Sequence, residues 1–236
     1  MNGIIDLGIY SPDQKKGRKP PMYETFEKLP ESKRQQILQV CIEEFVLNGY
    51  VNTSTNTIVS RLGISKGVLF LYFKNKKNLY LYIVEYLSKL LTDEYLREFG
   101  GKPIVTIEVF DDLGEFYKRL LRDKPEQVLF MLEAFLKAPE EIREDVETRH
   151  SLAHNYVLQY LNKADFREEV EIQLVVDLMH MISYHLGHLI FEEYINKNIA
   201  KTGKEGLWKS IDYFAEIFGK YMDILKYGVY KRTQIT

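Results

Sequence analysis

The chain has 236 residues, 45% of them hydrophobic and 28% charged, which excludes an intrinsically disordered chain. Its 32 basic and 34 acidic residues nearly cancel, so it is neither a polycation nor a polyanion as a whole. One cysteine, Cys41, excludes an intramolecular disulfide and a cysteine-rich zinc site and suits a reducing compartment.

Residues 1–30 hold Pro12, Pro20, Pro21 and Pro30 and the basic run Lys15-Lys16-Gly17-Arg18-Lys19, and read as a flexible basic arm. Two roles stay open for that run, a solvated tail or an arm entering a DNA minor groove. Met22 is a second possible start. The N-terminus lacks the basic-then-apolar order of a secretory signal, and no apolar run reaches the roughly 18 residues of a membrane span. A soluble, cytoplasmic protein is expected, with no membrane partner.

From Pro30 onward the periodicity is helical. Ile37, Cys41 and Phe45 recur every fourth residue in a first helix that Gly49 is expected to end. Short helices are predicted over Thr55–Leu62 and Lys66–Phe73, and a longer one from Lys76 to the Gly100-Gly101 pair. Later helices are predicted over about Ile104–Arg122, Pro125–Lys137, Pro139–Leu161, Arg167–Lys197 and Glu205–Tyr227. Pro125 and Pro139 fit first helical turns, where the missing N–H costs nothing. No strand alternation or repeat is visible, so the fold class is all-α.

The two short helices meet at Gly63-Ile64-Ser65, the shape of a helix-turn-helix. Glycine supplies the left-handed backbone of the turn, and Ser65 can cap the second helix. Ile58, Val59, Leu62, Ile64, Leu69 and Phe73 supply a small core that fixes the crossing. Charge points the same way: residues 1–90 carry 13 Lys/Arg against 8 Asp/Glu, while the remainder is net acidic.

The detailed wording resembles a known family. Gly49-Tyr50, Thr53-Ser54, Ile58-Val59-Ser60-Arg61-Leu62-Gly63-Ile64-Ser65-Lys66-Gly67 and Leu69 to Leu79 are similar to the N-terminal signature of TetR-type transcriptional regulators. Phe70, Leu62, Val59 and Val68 depart from the usual residues of that pattern. The resemblance covers about residues 31–91 and implies a three-helix DNA-binding domain there, with a divergent helical domain for effector binding and dimerisation over 92–236. It further implies DNA contacts from Thr55, Ser65, Lys66, Gly67, Val68, Leu71, Tyr72 and Lys76. Most of these would hold phosphates, with Val68 and Leu71 meeting thymine methyl groups if they face the groove.

In the C-terminal part, the stretches 167–197 and 205–227 are apolar on more than one face. Two such helices from each of two subunits would form a four-helix bundle, so a homodimer is expected through them, with Phe214 in its interface. A dimer also suits a palindromic operator. Phe110, Phe116, Tyr117, Phe130, Met131, Phe135, Tyr156, Met179 and Tyr184 could line an apolar effector cavity, or simply be core. Polar groups beside it would come from His154, His180, Tyr156 and Tyr184. His185, His188 and Glu192 have a spacing that could hold a metal, but bonded polar positions in the bundle explain them as well; no metal and no cofactor are expected.

The reading that joins these features is a dimeric repressor released from a palindromic operator by a small apolar effector. The alternative is an architectural or division-linked DNA-binding protein of the same fold without an effector. An enzyme is not expected: no phosphate-binding glycine loop, nucleophile elbow or H-E-x-x-H motif is present.

Overall fold

The computed structural model describes residues 23–99, 109–148, 169–196 and 204–228. Among these residues every element is helical: α1 (Glu24–Glu27), α2 (Glu31–Asn52), α3 (Thr55–Leu62), α4 (Lys66–Phe73), α5 (Lys76–Phe99), α6 (Val109–Asp123) and α7 (Pro125–Lys137). A stretch over 140–148, here α8, precedes α9 (Ile172–Asn196) and α10 (Lys204–Tyr227). The fold is all-α. The chain divides into two compact units, residues 1–101 with 126–160, and residues 102–125 with 161–236.

Short-range chemistry sets the boundaries in the first unit. Ser54 caps α3 by accepting from the Asn56 N–H at 3.2 Å, and Gly63 closes it in the left-handed region at φ 63°. Ser65 caps α4 by accepting from the Val68 N–H at 3.2 Å. Asn75 does the same for α5, its Oδ1 accepting from the Asn78 N–H at 2.8 Å. Gly49 does not terminate α2 outright. It bends the helix at φ 68°, ψ 171°, and the segment then continues to Asn52.

The core of this unit joins α2, α4, α5 and α7 through Phe45, Phe73, Tyr80, Ile83 and Phe130, none of which is exposed. Cys41 lies in the same core, and burial pushes its thiol up to about 12. The order also begins earlier than residue 30. Tyr23 and Phe26 are buried against Phe73 and Tyr82, with ring centroids 4.7–6.2 Å apart. The stretch from Tyr23 to Pro30 is therefore not part of a free arm, because two aromatic rings outweigh the local proline signal. Residues 1–22 lie outside the described residues.

In the second unit α10 packs against both α6 and α9. Gly114 lets α6 approach α10 closely, since a Cβ there would stand 3.0 Å from the Phe218 ring. Asp212 on α10 pairs with Arg122 at 2.5 Å and lies 3.7 Å from Lys118. Phe116, Leu186, Phe191, Ile211, Phe214 and Met222 are buried. The predicted helix starts at Ile104 and Arg167 fall outside the described residues, as does the Pro139–Leu161 helix beyond residue 148.

Candidate nucleic-acid interface

Helix α4 turns Leu69 and Phe73 inward and leaves Ser65, Lys66, Gly67 and Leu71 exposed. Leu71 is 61% exposed on this short helix. Val68 and Tyr72 are partly covered; the Tyr72 ring lies 5.7 Å from that of Phe26, so only its outer edge is free. Thr55 opens α3 half-buried, immediately after the capping Ser54. The Lys66 ammonium sits 5.6 Å from the centre of the Phe70 ring. The eight DNA-contact candidates thus fall on α3, on α4 and at the start of α5.

The pair is braced from below. Arg61 reaches from α3 to α2, donating to Glu44 at 2.8 Å and to Glu43 at 2.5 Å. Two carboxylates on one planar guanidinium fix the angle at which α3 leaves α2, and they more than offset the charge of Arg61. Lys74 closes α4 with φ 63° and ψ −44°, and the Asn75 N–H donates to the Phe73 carbonyl at 2.7 Å, which makes a γ-turn. A lysine with this backbone is strained by about 1–3 kcal/mol, and the Asn75 cap and buried Phe73 hold it there.

Lys76 opens α5 as expected, but its ammonium is already engaged. It donates to the Val51 and Thr53 carbonyls at 3.0 and 3.3 Å and lies 4.8 Å from the centre of the Tyr50 ring. It closes the C-terminus of α2, and of its three N–H groups one is left for a phosphate. Lys77 pairs with Asp145 of α8 at 2.9 Å.

A buried acid that sequence reasoning missed completes the support. Glu133 of α7, 2% exposed, accepts from the Tyr50 N–H at 3.2 Å and from the Tyr80 hydroxyl at 2.6 Å. Burial raises its pKa, and the two donors act in the opposite direction. Gly49 is matched to this carboxylate, since a Cβ there would stand 3.3 Å from Oε1. The Thr53 hydroxyl lies within donating reach of the Gly49 and Glu44 carbonyls, at 2.6 and 3.1 Å. The bend that launches the helix-turn-helix is therefore held by α7, α5 and its own threonine together. The Ser65 cap was legible from the sequence; the Ser54 cap, Arg61 and Glu133 were not.

The effector-pocket candidates fall in both units. Phe130 lies in the first unit's core, 5.0 Å from Tyr80 and 6.0 Å from Phe45, with Met131 buried on the same helix. Phe135 is 43% exposed. In the second unit Phe116 is buried, whereas Tyr117 and Tyr184 are each 51% exposed. Tyr156, with His150 and His154, lies outside the described residues, as do the side chains of Phe110, Met179 and His180.

Phe214 is 7% exposed within its own subunit, so it belongs to the core of that unit. Among the described residues of α9 and α10, the uncovered large apolar side chains are Leu174, Leu178, Met181, Tyr184 and Leu189 on α9 and Tyr213, Ile224 and Tyr227 on α10. The His185 ring stacks edge-on against Tyr221 at 6.5 Å. Among the described residues no group of three His, Cys, Asp or Glu is placed to hold a metal, and no helix is long and apolar enough to cross a membrane.

Comparison with known proteins bears on the same region. The sequence profile of the family described as "Bacterial regulatory proteins, tetR family" matches residues 37–83, the span from α2 through α3 and α4 into α5. The HTH-type transcriptional regulator YerO of Bacillus subtilis is 28% identical over 117 residues, 48% of this chain and 39% of that protein, so the match spans well under half of that relative's length. A TetR family regulator from Chloroflexus aurantiacus shares the fold at TM-score 0.63 and 22% identity, over 89% of this chain and 98% of that one. The regulator FadR from Bacillus subtilis, solved with stearoyl-CoA, shares it at TM-score 0.64 and 14% identity, over 83% and 99%. On the capped α3–α4 pair and this match together, residues 37–83 form a helix-turn-helix domain similar to that of the tetR family of bacterial regulatory proteins.

Proposed function

We propose that this regulator is a dimeric repressor that binds a palindromic operator and leaves it when a small apolar effector binds. The observation that carries the DNA half is α4 itself, a capped helix with Ser65, Lys66, Gly67 and Leu71 exposed on one accessible side. Thr55, Ser65, Lys66, Gly67, Tyr72 and the remaining N–H of Lys76 hold phosphates, while Val68 and Leu71 meet base edges. Exposed leucine on a DNA-facing helix is costly in water and gains from a thymine methyl group.

In this reading residues 31–91 recognise DNA and residues 92–236 sense and dimerise. The exposed apolar residues of α9 and α10 supply a dimer contact, and a two-fold pair of α4 helices then fits a palindrome. The fold holds stearoyl-CoA in FadR, which supports an effector with a long apolar part here. Such an effector acts only if it binds the DNA-free conformation more tightly.

Selection of genomic fragments with the purified protein, followed by thermal-shift screening of an apolar library that includes acyl-CoAs, tests both halves. Enrichment of a palindromic fragment, and compounds that raise Tm while releasing it, are expected. If only hydrophilic anions or metals do so, the effector assignment falls; if no fragment is enriched, the operator assignment falls.

A further inference from the structure

The cations around the recognition helix divide into engaged and free. Lys76, expected to open α5 on a phosphate, gives its ammonium to the Val51 and Thr53 carbonyls. Lys77 is held by Asp145, and Arg61 by Glu43 and Glu44. Lys66 and Lys74 remain. Both are exposed, and Lys66 lies over the Phe70 ring. Among the described residues no carboxylate or carbonyl engages either ammonium.

Lys74 also carries a strain that its neighbours do not. Among the described residues it is the one non-glycine with positive φ, and the other positive-φ positions are Gly49, Gly63 and Gly228. Gly63 takes the same φ of 63° at the end of α3, where glycine adopts it freely. Glycine would relieve position 74 in the same way, since the Lys74 side chain is exposed and buries nothing. A backbone outlier kept where an unstrained residue fits points to a task for the side chain.

Position supplies that task. Lys66 opens α4 and Lys74 follows its last residue, so the two stand at opposite ends of an eight-residue helix, roughly 12 Å apart. The major groove of B-DNA is about 12 Å wide, with a phosphate strand along each side. A helix of this length in the groove brings one ammonium to each strand. Ser65 and Lys66 serve the first strand. With Lys76 closing α2, Lys74 is the cation at hand for the second.

We infer that Lys74 is a further DNA-contact residue, its strained turn presenting the ammonium to the phosphate strand opposite the one that Lys66 holds. This assignment rests on the DNA-binding reading and adds to it a residue that the helix-turn-helix wording does not mark. It also gives the strain a function: the turn gives up stability and the complex gains affinity.

Fluorescence anisotropy on a mixed-sequence duplex of about 30 bp, across a salt series, compares the full chain with Lys74→Gln, Lys74→Gly, Lys74→Arg and Lys66→Gln. Thermal unfolding is followed on each. One phosphate contact contributes about 0.9 to the slope of log affinity against log salt, or roughly fivefold in affinity near physiological salt. Lys74→Gln and Lys74→Gly should each lose that slope and that affinity per subunit, and Lys74→Arg should retain both. Tm should stay level in Lys74→Gln and stay level or rise in Lys74→Gly, so a fold at least as stable binds DNA more weakly. A residue that served only the fold would move stability and affinity together. Native affinity and slope in Lys74→Gln, beside a loss of both in Lys66→Gln, overturn the inference and leave the DNA-binding reading standing. A loss in Lys74→Gly without one in Lys74→Gln overturns it too, since the shape of the turn and not the charge would be the cause. So does a lower Tm in Lys74→Gly, because the lysine would then serve the fold. If the full chain itself shows no salt-dependent binding, the DNA-binding reading fails first and takes this contact with it.

Discussion

Replacing Glu133 asks whether one buried carboxylate supports the bend from which the helix-turn-helix departs. Glu133→Leu fills a similar volume but strands two buried donors, the Tyr50 N–H and the Tyr80 hydroxyl. An orphaned buried donor costs about 1–3 kcal/mol, and loss of the carboxylate's own desolvation penalty offsets part of the sum, leaving roughly 2–4 kcal/mol. For a protein of this size that corresponds to a fall in Tm of roughly 5–12 °C. Glu133→Gln keeps an acceptor for Tyr50 and turns a donor toward the Tyr80 oxygen, which can accept, so it should cost under about 1 kcal/mol. The pH dependence separates charge from shape. Burial raises the folded pKa of Glu133 above its unfolded value, so its ionisation costs stability, and that cost grows as pH rises from the ordinary carboxylate range through the folded value. Glu133→Gln lacks this term and should gain on the native protein as pH rises above the ordinary carboxylate range. Differential scanning fluorimetry of the three proteins across pH is the assay. If Leu is as stable as Gln, the side chain at 133 does not hold this bend through its hydrogen bonds; if the Gln-minus-native difference is flat with pH, burial does not raise the Glu133 pKa.

Gly49→Ala should lower stability by about 1–3 kcal/mol, because φ 68° with ψ 171° is a glycine conformation and the new Cβ would press on Glu133; chemical denaturation measures it. Lys76→Ala should lower Tm through loss of its bonds to Val51 and Thr53 and reduce the DNA salt slope by about 1; a lower Tm with an unchanged slope would make Lys76 purely a helix-capping residue. Met181→Glu, which places a charge on an exposed apolar site, should give folded monomers in sedimentation, whereas Phe214→Glu should unfold the subunit because Phe214 is buried in it.

The helix-turn-helix was legible because its determinants are local. Gly63 and Ser65 act within one turn of where they stand, and the ranges of α3, α4 and α7 followed from caps, prolines and periodicity. What escaped notice is non-local. Glu133 and Tyr50 are 83 residues apart, and nothing around Glu133 marks it as different from a solvated helix acid. Phe26 sits in a proline-rich context that suggests loop, and its burial depends on rings about fifty residues later. Phe214 shows the same point on another helix. When a helix is apolar on several faces, composition does not say which face meets its own subunit, and only packing separates buried Phe214 from exposed Met181.

The first compact unit is discontinuous in the chain, leaving at residue 101 and resuming at 126. During synthesis, the helix-turn-helix emerges well before α7 delivers Phe130 and Glu133 to the faces of Phe45, Tyr80 and Tyr50. The nascent domain therefore waits with an open aromatic surface, and its closure is a late, high-contact-order step. An excised fragment ending near residue 91 would carry the whole recognition motif and still lack the element that seals it. The choice of expression boundaries for this protein follows from where in the chain that seal is encoded.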